Sequence, residues 1–107
     1  MSHGSVVALH LKPEPGKLEP VTELRAEVGI GFEGDRCSRS PNRQVLFVAT
    51  EDIRELGLEP GALREQITVD LDGLQGLAIG TIVTVGDVRF RITADCEPCG
   101  KMARYLG

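Results

Sequence analysis

The chain has 107 residues, 41% of them hydrophobic, 26% charged and only 4% aromatic, with no tryptophan. That is the balance of one globular domain whose core is built from Val, Leu and Ile. The net charge of −4 argues against a general nucleic-acid binder, no apolar run approaches the ~18–20 residues that span a bilayer, and Met1-Ser2-His3-Gly4-Ser5 lacks the pattern of a secretory leader.

Cytoplasmic localisation, with neither nucleic acid nor membrane as partner, is therefore expected. Three cysteines, Cys37, Cys96 and Cys99, are too few for a disulfide framework. In a reducing compartment they read as metal-binding, catalytic or plain buried residues.

In chain order, Ser5 to Leu11 reads as a strand, and two prolines and a glycine make 12–17 a loop. Val21 to Val28 has strand-like chemistry. Three glycines between Gly29 and Gly34 mark backbone that needs positive φ or close approach. Gln44 to Ala49 is the most apolar run and reads as a fully buried strand. Thr50 is expected to cap a short helix carrying Glu51 and Asp52 in its first turn, an apolar face of Ile53, Leu56 and Leu58, and Gly57 at its end. A turn over 60–65, a strand over 67–71 and a Gly-rich connection over 72–77 follow. Thr81 to Val85 and Val88 to Thr93 alternate around Gly86-Asp87, the signature of a two-residue hairpin. Val88, Phe90 and Ile92 should face inward, Arg89 and Arg91 outward. The end of the chain, from Cys96 to Tyr105, reads as a short helix. The sum is a β-rich, barrel-like domain with one or two small helices.

Three segments could carry chemistry. Cys96-Glu97-Pro98-Cys99 sets two sulfurs close together, a spacing that serves metal binding, disulfide exchange or sulfur handling. A structural zinc site needs four ligands, and only Cys37, His10 and His3 remain to complete one. A thioredoxin fold is also a poor fit, because only eight residues follow Cys99. If Cys99 opens a helix, the dipole favours its thiolate; Lys101 and Arg104 would help, Asp95 and Glu97 oppose. The plain alternative is one buried and one incidental cysteine. The second segment, Gly34 to Arg43, holds Arg36, Arg39 and Arg43 with a single acid, Asp35, in a chain that is otherwise acidic. Guanidinium groups and accessible backbone N–H groups suit a phosphate or carboxylate; the alternative is a solvated loop. The third, Leu58 to Val69, sets Arg64 and Glu65 just ahead of a buried strand, where they read equally as a surface pair. His10, between Leu9 and Leu11, reads as structural.

Taken in order, Gly34-Asp35-Arg36, Arg43-Gln44-Val45-Leu46-Phe47-Val48-Ala49, Leu58-Glu59-Pro60-Gly61-Ala62-Leu63-Arg64-Glu65, the hairpin and Cys96-x-Pro-Cys99 resemble the MOSC domain, the C-terminal domain of molybdenum cofactor sulfurases. The likeness runs from Gly4 nearly to the end, as in the small stand-alone bacterial members. It implies a mainly β, barrel-like fold in a single domain, 1–107. It also implies a functional cysteine at Cys99, which carries sulfur as a persulfide or ligates the molybdenum of a bound molybdopterin. Arg36, Arg43, Arg64, Glu65 and Gln66 match the regions that surround the pterin and its phosphate. A soft thiolate suits molybdenum or sulfane sulfur, and arginines suit a phosphate.

The sequence departs from the family at Cys37, where an aromatic residue or histidine is usual, and at Gln66, where asparagine is usual. The family's domain commonly continues with more strand beyond the cysteine. A short barrel with an open edge would be completed by a second copy, so a homodimer is expected. A pyridoxal-phosphate site is absent from the sequence pattern, so sulfur would come from a partner such as a cysteine desulfurase. A persulfide on Cys99 would be released when the Cys96 thiolate attacks the Cys99 sulfur, expelling HS− and leaving a Cys96–Cys99 disulfide; Cys96 is then the resolving thiol. Two other readings stay open. One is a molybdenum-dependent reductase of N-hydroxylated substrates served by a redox partner. The other is a non-catalytic binding module that keeps the fold without the site.

Overall fold

The computed structural model describes residues 2–14, 16–28, 31–35, 44–96 and 100–107. Its elements are β1 (Ser2–Leu11), β2 (Glu19–Val21), β3 (Ala26–Glu27), β4 (Gly31–Phe32), β5 (Val45–Ala49), α1 (Thr50–Glu55), β6 (Ile67–Asp70), a 3-10 turn (Leu74–Gly76), β7 (Ile82–Val85), β8 (Val88–Cys96) and β9 (Gly100–Tyr105).

Seven strands form one sheet in the order β2-β1-β6-β5-β9-β8-β7, and β1 also pairs with β7. That last pairing is parallel, Ser2↔Val83 to Gly4↔Val85, and it closes six strands into a barrel with β2 as an appended edge. The mainly β barrel expected from the sequence is thus the observed fold. Among the described residues, closure leaves β2 as the edge strand of this sheet. The exposed edge, β2, is three residues long and carries Pro20, a combination that discourages further pairing.

Strand β5 explains why its run of apolar residues shows no alternation. It is buried on both faces. Val45, Phe47 and Ala49 join the barrel interior with Ile67, Val69, Val83, Phe90, Ile92 and Ala103. Leu46 and Val48 face outward, where Ile53 of α1 and Met102 cover them. Phe90 meets Phe47 edge to face at 4.9 Å between centroids, and Tyr105 at 5.5 Å.

The hairpin is as expected: β7 and β8 pair Val85↔Val88 around Gly86-Asp87, Phe90 and Ile92 are buried, and Arg89 and Arg91 are exposed. Four local expectations are corrected. First, Thr50 is the opening residue of α1 and Ala49 stands at the cap, with no side-chain cap bond, because β5 runs straight into the helix. Second, only Ile53 of the expected apolar face is buried; Leu56 and Leu58 are exposed. Third, strand-like 21–28 resolves into the end of β2 and the two-residue β3. Fourth, the expected C-terminal helix is a strand. Gly100–Tyr105 lies between β5 and β8 and pairs with both, Val45↔Ala103 on one side and Ile92↔Ala103 on the other. Two ladders of backbone hydrogen bonds and burial of Met102 and Ala103 override local helix propensity.

Candidate functional site

Strands β5 and β6 run parallel, Phe47↔Ile67, so their N-terminal ends lie side by side. The chain enters β6 through Arg64, Glu65 and Gln66, and enters β5 through Gln44. Here the barrel is polar. Gln44, Glu65, Gln66 and Thr68 are all 1% exposed or less. Burial of so many polar side chains requires hydrogen bonds, and Gln66 is their centre.

The Gln66 side chain uses every group it has. Its Oε1 accepts the Leu46 N–H at 2.8 Å. Its Nε2 donates to Asp35 Oδ1 and to the Gln44 carbonyl, each at 3.3 Å. Asp35 Oδ2 in turn accepts the Lys12 N–H at 3.0 Å, which ties in the end of β1. Gln44 Oε1 accepts the Tyr105 N–H at 3.2 Å, which ties in β9. One buried amide therefore knots Asp35 and Gln44, the residues on either side of 36–43, to the start of β6.

Glu65 works within its own turn. Its Oε2 accepts the Gly61 N–H at 3.0 Å and the Thr68 hydroxyl at 2.8 Å. Gly61 has φ of 92°, and a Cβ there would lie 2.7 Å from His10 Nε2, so the position requires glycine on both counts. His10 packs behind this turn, and its backbone N–H donates to the Gln66 carbonyl at 2.8 Å. Three polar atoms in this region, Glu65 Oε1, Gln44 Nε2 and His10 Nδ1, have no hydrogen-bond partner among the described residues.

Arg64 is the half-buried cation of the turn. It is the one non-glycine residue with positive φ, 62°, among those described. Left-handed backbone costs an L-residue roughly 1–2 kcal/mol, so the fold holds Arg64 in a conformation it would not choose. Its Nη2 donates to the Lys17 carbonyl at 3.2 Å, which brings the 12–17 loop against it.

The cysteine hairpin approaches the same face from β8 and β9. Cys96, Ala94 and Leu63, the neighbour of Arg64, all pack on the outer cluster of Leu46, Val48, Ile53 and Met102. A Cβ on Gly100 would lie 2.6 Å from Leu46 Cδ1, so the strand after the hairpin runs close over β5. At its base Lys101 is buried and ion-paired to Asp95. Since Gly100 opens a strand and not a helix, the dipole stabilisation expected for a Cys99 thiolate has no helix to supply it.

Among the residues singled out from the sequence, Arg64, Glu65 and Gln66 adjoin one another where the chain enters β6, and Cys96 packs on the outer cluster that Leu63 also meets. Glu65 and Gln66 are fully buried, with their hydrogen bonds directed to protein. Arg36, Cys37, Arg43 and Cys99 lie outside the described residues. No group of three or more His, Cys, Asp or Glu side chains suited to a metal occurs among the described residues. Sequence reasoning missed Asp35 as an anchor and Gln44 altogether. Each is a polar residue at the edge of the arginine segment, and for Gln44 the signal was its position directly before an otherwise unbroken apolar run.

Order and spacing of the segments agree with the fold. The family model of the MOSC domain matches residues 34–107, the stretch that holds Asp35, β5, the Arg64 turn and the cysteine hairpin. No curated protein and no solved structure matched the chain. With about two-thirds of its length matched and a closed β-barrel carrying the matched segments, the chain belongs to the MOSC domain family.

Proposed function

We propose that the chain binds a phosphate-bearing molybdenum cofactor, with Cys99 as the thiolate ligand and Arg36, Arg43 and Arg64 gripping the phosphate. The observation that carries this reading is the Gln66 knot. Asp35 and Gln44, which precede Arg36 and follow Arg43, are tied by one buried amide to the strand that Arg64 enters. Asp35, Gln44 and the strand that Arg64 enters thus share one frame.

The donor set fits such a group. Arg64 is held in place by its turn and by Lys17, and guanidinium groups match phosphate oxygens bidentately. Gln44 Nε2 is a buried donor without a partner among the described residues, immediately beside Arg43. A bound cofactor supplies a soft metal for a thiolate and an anionic phosphate for the arginines. The chain supplies the orientation. Glu65 shapes the turn that presents Arg64, Gln66 fixes the frame, and the hydrophobic contact of Cys96 with Leu46 and Met102 docks the cysteine hairpin on the same face.

Arg64→Gly separates binding from folding. Glycine accepts φ of 62° without strain, which offsets its greater unfolded-state entropy, so stability should stay within about 1 kcal/mol of wild type. Binding of inorganic phosphate or pyrophosphate, followed by calorimetry at low salt, should fall about tenfold or more. Unchanged binding would remove Arg64 from the site.

A further inference from the structure

A second feature of the barrel shares only Tyr105 with the polar knot. Between the β3–β4 arm and the barrel wall lies a partly enclosed cavity of about 190 Å³. The arm lines it with Leu24, Ala26 and Phe32, and the barrel with Val88, Phe90 and Tyr105 among others. Tyr105 is the one lining side chain with a polar group.

Size decides what this cavity could hold. Drug-sized ligands and cofactors occupy roughly 300–1,000 Å³, so a pterin with its phosphate does not fit. An apolar cavity of about 150 Å³ stays dry and accepts benzene. Water entering this one would find the Tyr105 hydroxyl as its one side-chain partner beside a few backbone groups, and leaving the space empty forfeits dispersion contacts with the apolar side chains. Its walls also have a chemical preference. Phe32 and Tyr105 each meet Phe90 edge to face, at 6.4 and 5.5 Å between centroids. Rings arranged in this way offer both faces and edges to a further ring.

The arm that closes the cavity is lightly held. β3 and β4 make two residue pairs, Ala26↔Phe32 and Glu27↔Gly31, and belong to a sheet of their own. The cavity mouth includes Val6, which is 47% exposed, so there is a route in.

We propose that this cavity is a binding site for a small aromatic hydrocarbon group of about benzene to toluene size, separate from the cofactor site. Toluene is the probe. In NMR titrations of the full chain it should shift the methyl resonances of Leu24, Ala26 and Val88 saturably, show intermolecular contacts to those methyls, and raise Tm with concentration. Ala26→Phe, which fills the space from the arm, should abolish the shifts. Val88→Phe fills it from the barrel and should do the same if the arm variant fails to fold. Absence of methyl shifts in wild type at toluene saturation would overturn the proposal. So would shifts that persist undiminished in a folded, filled variant. Neither result bears on the cofactor reading, since toluene makes no demand on Cys99 or the arginines.

Discussion

Gln66 is the residue on which most of the polar architecture turns. Its side chain spans from β6 to Asp35, Gln44 and Leu46 at once. Its amide groups are all engaged with protein, and they hold Asp35 and Gln44 in one place. Gln66→Leu keeps approximate volume but leaves the Leu46 N–H without an acceptor in the interior and takes a donor from Asp35 and Gln44. A buried polar group left unsatisfied costs about 1–3 kcal/mol, and three bonds are lost here. Urea unfolding should show a loss of about 2–4 kcal/mol. A loss below about 1 kcal/mol would mean that water or a shifted backbone replaces the amide without cost. Phosphate binding should weaken together with stability in this variant, in contrast to Arg64→Gly, in which binding alone should suffer.

At the scale of elements, α1 is the piece with the clearest titration behaviour. Ile53 is its one buried residue, packed on the outside of the barrel, and its acidic residues crowd together. Burial, then the neighbouring charges of Glu51 and Glu55, raise the Asp52 carboxyl above its ordinary range, against a hydrogen bond with Gln75 that lowers it. A carboxyl raised in the folded state binds its proton more tightly there than in the unfolded chain. Stability from this group is therefore lost as pH rises from the ordinary carboxylate value through the raised one. Asp52→Asn removes that loss. Its urea midpoint should exceed that of wild type at pH 7, and the two should converge as pH falls to about 3. A gap of equal size at both pH values would assign the effect to something other than the charge.

Elements also show where sequence could be read and where it could not. The β7–β8 hairpin was legible because alternation and a two-residue Gly86-Asp87 turn are local signals. β5 was legible because an apolar run bounded by polar residues has few other uses. The C-terminal strand was not. Gly100-Lys101-Met102-Ala103-Arg104-Tyr105 contains good helix formers, and its strand identity comes from partners more than 50 positions earlier in the chain, at β5, as well as from β8. Of the candidate site, Arg64 was legible because charge just ahead of a buried strand stands out; the arginine segment lies outside the described residues. The supporting residues were not legible, since nothing in the sequence shows that Asp35, Gln44 and Gln66 converge on one amide. Arg64's left-handed backbone was equally hidden, because arginine carries no signature of positive φ.

For the whole molecule, closure is the organising fact. The β1–β7 seam makes the barrel a rigid frame, and the chain uses its surfaces separately. The outer face beside β5 gathers the Arg64 turn and the Cys96 hairpin over one apolar cluster. The interior is a packed core of Val, Leu, Ile and Phe. The β3–β4 arm roofs an apolar cavity lined partly by that core. The cofactor reading depends on the Gln66 knot, the Arg64 turn and the Cys99 thiol. Its most direct test is the molybdenum and pterin content of the protein purified without oxygen from a molybdenum-replete host, with Cys99→Ser prepared in parallel. Near-equimolar metal and pterin in wild type, with the metal lost in the variant, is the predicted result. Wild-type protein that carries neither metal nor pterin under those conditions would contradict the account.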